Sequence, residues 1–430
     1  MTRAIAGLAS SVLAVLCGCV QQGIGEPRCW TGGPGVPLSA TWTVRTDDAE
    51  RDGVLGLIAD ERMVYVLVQR GDVSHRDVAR ASYVMALRSS DGHETWRYDA
   101  NDFTGVKAMV RQGDRLVAAG INGLFWIDCA TGDLIRRLEK NWATPGFEQR
   151  FRDDPHRPVH LIAQGERVIV NLRRGDLVCV DGLTGREKWQ ACLDVELLQV
   201  QARGDRLLLG TPGEAPEIIV VGSEDGRIFP GLRCRLPDLR RRGVRVPTGI
   251  LLPKPYDEGG IVDVTIDRES ILCPEYGLSC VAGGVDLLTG RARWKVTIPG
   301  TVAELWSTRG RILASCIPGG IICIDGDDGR ILWRVKPPQR QSADGYSVFA
   351  PVRAHEKYLW LLGWDGDILC IDIETGAGIE HLLPEIPIRV AANTAVSGRW
   401  LIIGDASRID ALPVFMPDGN GCQRAGKPSQ

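Results

Sequence analysis

The chain is poor in the residue types that chemistry at a site usually needs. It has six histidines in 430 residues. Of these, His156 and His160 are four apart, but Pro155 and Pro158 argue against the helix that would turn both to one face. No two of its 13 cysteines are adjacent and no Cys-x-x-Cys-His occurs, which excludes covalent haem attachment by that motif. Neither charge sign dominates: 51 Lys and Arg against 54 Asp and Glu leave a net charge of −3, so no general attraction to nucleic acid is expected. Past the N-terminus no apolar run approaches the length of a membrane span. The sequence therefore gives no catalytic residue, no metal site and no cofactor, and points away from an enzyme.

What is present starts at the N-terminus. Arg3 supplies a small positive start, and residues 4–16 are apolar apart from two serines. That run is short for a span and suits a cleaved signal peptide. It ends in Leu16-Cys17-Gly18-Cys19, which resembles a bacterial lipobox. Residues 1–18 thus read as a lipoprotein signal peptide and Cys19 as the lipidated cysteine; a plain secretory signal cut nearby is the competing reading. Residues 19–38 read as a flexible lipidated tether and 413–430 as a C-terminal tail. Export permits disulfides, and Cys29 with Cys422, or Cys273 with Cys280, are open possibilities. Cys179, Cys323 and Cys370 instead recur six residues before a turn glycine, where another copy has Ala86, and read as small core residues.

The body is repetitive. An apolar strand, an Asp, a Thr-Gly or Asp-Gly turn and a second strand recur, with turn glycines at Gly92, Gly132, Gly185, Gly226, Gly290, Gly329 and Gly376. Their separations are 40, 53, 41, 64, 39 and 47 residues, a base period near 40 with insertions, as four strands per propeller blade require. Asp or Thr supplies a local acceptor and Gly a positive φ, so the two strands reverse tightly. Trp96, Trp189, Trp294 and Trp333 stand four residues after their glycines, where a large ring can fill the wedge between blades. The second, fourth and seventh copies depart, with Arg136, Pro230 and Glu380 there. Short polar turns mark eight first hairpins, one of them at Asp267-Arg268. The last unit stops one strand short, and Trp42-Thr43-Val44 matches the missing outer strand. The expected fold is an all-β, eight-bladed propeller of four-stranded antiparallel blades over residues 39–412, monomeric, its ring closed by an N-terminal strand that completes the last blade.

These units resemble the PQQ-like β-propeller repeat of quinoprotein dehydrogenases and of the BamB outer-membrane assembly lipoproteins. With the lipid anchor, the resemblance implies a non-catalytic interaction scaffold in outer-membrane β-barrel assembly. It would face the periplasm from the outer membrane and contact other envelope proteins, among them barrel-assembly machinery. Val20 directly after Cys19 agrees with the outer membrane. The alternative it implies is a propeller binding PQQ, another quinone or another small ligand, with dehydrogenase-like activity, although the vicinal cysteine pair of those enzymes is missing.

With strands A to D numbered outward from the axis, the A–B and C–D turns share one face and the B–C and D–A connections the other. The long segments, 70–82, 140–157, 211–217 and 233–259, all fall on the second face, which is the expected working face. The largest carries Arg233, Arg235, Arg240, Arg241, Arg242 and Arg245 next to an apolar stretch. This suits a partner interface, with a solvated loop as the competing reading.

Overall fold

The structure is a computed structural model. It describes residues 28–31, 35–47, 52–70, 82–100, 108–120, 123–139, 160–172, 176–193, 195, 197, 199–211, 217–229, 234–235, 250–251, 254–255, 264–267, 279–285, 292–299, 301–308, 310–317, 320–338, 349–355, 357–363, 366–385, 393–397, 400–405 and 407–413.

The third blade shows how sequence becomes sheet. His160–Gln164, Arg167–Leu172, Asp176–Asp181 and Glu187–Ala191 pair in order, each antiparallel to the last. The two middle strands are apolar almost without alternation and are buried along nearly their whole length. A sheet with neighbours on both faces needs that pattern, since neither face meets water. The outer strand alternates, its Trp189 and Ala191 inward and the residues between them exposed. A bulge between Cys179 and Val180 resets the register, so that Trp189 lies opposite Cys179. The same bulge sets Trp96 opposite Ala86 and Trp333 opposite Cys323. The residue facing each indole is small, which leaves the ring room to lie flat; the three recurring thiols are buried core residues.

Six other blades repeat this plan. The first is Gly53–Ala59, Met63–Gln69, Ser82–Arg88 and Glu94–Ala100; the second is Ala108–Gln112, Arg115–Gly120, Gly123–Asp128 and Leu134–Glu139. The fourth is Gln199–Arg203, Arg206–Gly210, Glu217–Gly222 and Cys234–Arg235. The fifth is Thr301–Thr308, Arg311–Ile317, Gly320–Asp325 and Ile331–Lys336; the sixth is Phe349–His355, Tyr358–Gly363, Ile368–Asp372 and Gly378–Pro384. The seventh takes Asn393–Ser397, Trp400–Asp405 and Arg408–Pro413 from the end of the chain and Trp42–Arg45 from its beginning, Trp42 pairing antiparallel with Ala411.

The expectation of eight blades is overturned: the structure shows seven. The eighth was expected around a first hairpin at Asp267-Arg268. Instead Val264–Asp267 pairs directly with Ser279–Val285, Val264 opposite Gly284, and among the described residues meets Ile250–Leu251 on its other side. Ala292–Pro299 completes this irregular sheet.

Nor is every sheet four-stranded and antiparallel. Arg28–Cys29 adds in parallel to the outer strand of the fifth blade, Val36–Leu38 to that of the sixth, and Lys254–Pro255 to the innermost strand of the fifth. Part of the segment expected as a tether is thus laid against the rim. The connections after Gln69, Glu139, Gly210 and Arg235 join strand B to C or D to A, as the sequence reading placed them. The six arginines expected as a partner site, Cys19, Gly290 and both open cysteine pairings fall on residues or side chains outside those described.

Candidate functional site

A propeller presents what its blades hold rigid, so the joints between blades come first. Each repeat Trp reaches across a joint. Trp42 Nε1 donates to the Ser89 carbonyl at 2.9 Å, Trp96 to Cys129 at 3.0 Å and Trp189 to Ser223 at 3.1 Å. Trp294 donates to Gly326 and Trp333 to Ile373, both at 2.9 Å. Each acceptor lies three residues before a turn glycine, on which the same indole rests. A Cβ at Gly132, where φ is +78°, would stand 2.6 Å from Trp96. Glycine is required there twice over, for its φ and for its missing side chain. The turn itself is built by an Asp: Asp181 accepts from the Leu183 and Thr184 amides at 3.0 and 2.7 Å, and Asp128 from the Ala130 and Thr131 amides at 2.8 and 2.9 Å. The amide bonds from Thr184, with Lys188 beside them, hold the Asp181 carboxyl well below its usual range.

Among the described residues, two joints lack a Trp at the repeat position and are closed otherwise. Arg136 of the second blade lies over Gly185, its Cδ 3.3 Å from where a Cβ would be, and donates to the Thr184 carbonyl. The indole of this blade sits one strand inward, as fully buried Trp126 opposite Arg136. At the sixth blade Glu380 has no turn to cover, because the next blade takes its outer strand from the N-terminus. Leu38 fills that wedge instead, packed with Leu382, Leu401 and Leu412, and its carbonyl accepts from the Glu385 amide at 3.0 Å. Burial pushes the Glu380 carboxyl up. Sequence reasoning missed Arg136 and Leu38 as joint residues.

The N-terminal segment is fixed by a second anchor. Trp30 lies on Gly378, and Thr31 Oγ1 donates to the Gly378 carbonyl at 3.0 Å. The Trp30 ring meets His381 edge-on at 6.3 Å, and His381 Nε2 is 3.0 Å from Asp367 Oδ2. Both side chains of that pair are below one-tenth exposed, so they support Trp30 and are closed to a substrate. On the elaborated face, Asp47 holds Arg97 at 2.5 Å and Arg70 at 3.6 Å, and both guanidiniums stack within about 5 Å of the Tyr83 ring. Burial pushes the Tyr83 hydroxyl up to about 12, while Arg97 holds Asp47 low. This charged cluster fixes the root of the connection that starts at Arg70. Among the described residues no three His, Cys, Asp or Glu side chains converge as a metal site would require.

The family described as outer membrane protein assembly factor BamB matches residues 39–196 and 280–415. The chain belongs to the BamB family. The gap between the two matched stretches contains the fourth blade and the irregular sheet's first two strands, where the repeat is most disturbed. Among solved structures, BamB from Moraxella catarrhalis is 16% identical with a TM-score of 0.51, covering 87% of this chain and 99% of its own. The computationally designed Ika8 protein is 13% identical with a TM-score of 0.58, covering 88% and 100%. Sqt1 from Chaetomium thermophilum, bound to the N-terminus of ribosomal protein L10, is 11% identical with a TM-score of 0.59, covering 88% and 100%. At these identities the likeness is one of fold. No curated protein matches the chain.

Proposed function

We propose that this BamB-family chain is a non-catalytic envelope lipoprotein that serves as an interaction scaffold in the assembly of outer-membrane β-barrel proteins. Cys19 would carry the lipid in the outer membrane, with the propeller on the periplasmic side. Family membership over the propeller body carries the reading. The plan of the ring supports it: the connections after Gln69, Glu139, Gly210 and Arg235 each join strand B to C or D to A and so leave from one face, as expected where a rigid scaffold offers loops to a partner. The arginine-bearing connection between Cys234–Arg235 and Ile250–Leu251 leaves from that face, and Arg233, Arg235, Arg240, Arg241, Arg242 and Arg245 are its proposed contacts. Affinity capture from detergent-solubilised envelope tests this, comparing the wild-type chain with one carrying Arg240→Glu, Arg241→Glu and Arg242→Glu. Barrel-assembly proteins are expected with the wild type and depleted with the variant. Capture of none by the wild type would overturn the role; equal capture by both would move the contact off this insertion.

A further inference from the structure

In a propeller the innermost strands border the axial channel, one edge paired within the blade and the other turned to the axis. Two of these strands show what that position gives. Ala108–Gln112 is half-buried at every residue, and Gly53–Ala59 at its last five. The innermost strand of the fifth blade differs. Its Leu305, Trp306, Ser307 and Thr308 are 2% exposed or less. The axis edge of this same stretch is covered, Lys254 pairing with Trp306 and Pro255 with Ser307, in parallel. Just upstream, Ile250–Leu251 pairs along the axis edge of Val264–Asp267, the innermost strand of the irregular sheet. The connection from the fourth blade therefore overshoots the strand it leads to, reaching the fifth blade before it returns to Val264.

Both added ladders are two residues long, and one contains a proline, which has no amide to donate. On the covered strand, Trp306 Nε1 and Ser307 Oγ are buried without a hydrogen-bond partner. An unpaired buried polar group is costly, so the cover opposes its own docking, and water admitted along the axis edge would relieve Ser307. We infer that Ile250–Leu251 and Lys254–Pro255 form a strap on the axis side of these two sheets that lifts off reversibly and so sets the reach of the arginine-bearing stretch. At the rim that stretch is anchored by Cys234–Arg235 on Glu217–Gly222; at the axis its anchor is the strap. With the strap docked, residues 236–249 separate the anchors. With it lifted, residues 236–263 do, twice as many, and the greatest span doubles with them. Arg245 stands five residues before Ile250 and so within about 17 Å of it, which lets a partner gripping Arg245 pull on the strap. The gain in reach rests on the scaffold reading proposed above; the lift-off does not.

Backbone hydrogen exchange on the full-length protein tests the strap. Axis-facing amides within residues 305–308 are expected to exchange about tenfold more slowly than those within Ala108–Gln112. Their exchange is also expected to respond far less to denaturant than that of Arg311–Ile317, as a local opening does. Replacing both Lys254→Gly and Pro255→Gly is expected to erase the tenfold difference and to leave Arg311–Ile317 unchanged. Equal exchange at the two innermost strands of the wild type would overturn the inference, and so would a difference that survives in the variant. A denaturant response as steep as that of Arg311–Ile317 would overturn it as well, by showing that the strap leaves only when the fold does; this wild-type measurement decides even if the variant does not fold. Local opening without capture of barrel-assembly proteins keeps the strap and removes the scaffold role. Capture by a protein whose strap opens only on unfolding does the reverse.

Discussion

Two neighbouring joints of the ring are closed by different chemistry. Between the first and second blades an indole lies on a glycine and bonds the carbonyl three residues before it. Between the second and third a guanidinium lies on the corresponding glycine and bonds the carbonyl one residue before it. What the joint requires is a flat donor at one place on the outer strand, and both residues satisfy that. They differ in how dry they leave the turn: Trp96 is 8% exposed, whereas Arg136 is solvent-exposed. The indole adds apolar burial to the hydrogen bond, while the guanidinium adds a bond that water partly replaces.

The widest separation should come from deleting each latch. Trp96→Ala is expected to lower stability by about 3–5 kcal/mol, the range for a buried aromatic, and Arg136→Ala by about 1 kcal/mol or less. Denaturant midpoints at constant slope measure both, and equal losses would show that apolar cover contributes nothing at this joint. The covered glycines sharpen the contrast. Gly132→Ala places a Cβ 2.6 Å from the Trp96 ring at a φ of +78° and should cost about 3 kcal/mol, strain and clash together. Gly185→Ala, with a φ of +69° and the flexible Arg136 chain 3.3 Å away, should cost about 1 kcal/mol. The smallest effect is in acid. Asp181 builds the turn that Arg136 covers, and its carboxyl is held below the unfolded value of roughly 3.9. A lowered folded pKa stabilises above the unfolded one and is lost as pH falls below about 4. Asp181→Asn should therefore flatten the acid limb of the stability profile while Asp225→Asn, at a turn covered by Trp189, serves as the comparison.

The latch was legible in part because its residues are rare and periodic. Four Trp at one offset from a turn glycine stand out against the 6% aromatic content, and Trp42 betrayed the closing strand, whose Thr43 lies 367 residues from its pairing partner Asp410. The substitutes were not legible. An arginine on an edge strand reads as a solvated residue, and only a fold shows that its reach ends on Thr184. Leu38 and Trp30 were hidden by Gly32-Gly33-Pro34-Gly35, a composition that reads as linker, because the strands they flank are two and three residues long. The miscounted blade failed for a related reason. Asp267-Arg268 has turn chemistry, but the strand before it found its partner at Ser279–Val285, and turn propensity does not say which strand a segment will join.

The route of the N-terminal segment has a mechanical consequence. Ahead of the closing strand the chain is pinned first to the fifth blade at Arg28–Cys29, then at Trp30 and Val36–Leu38 to the sixth. Tension applied in front of Arg28 meets these holds in series. Each must slip before the next is loaded, and the pairing of Trp42 with Ala411 comes last. The seam that keeps the ring shut is thereby shielded from jolts to whatever the N-terminus is tied to.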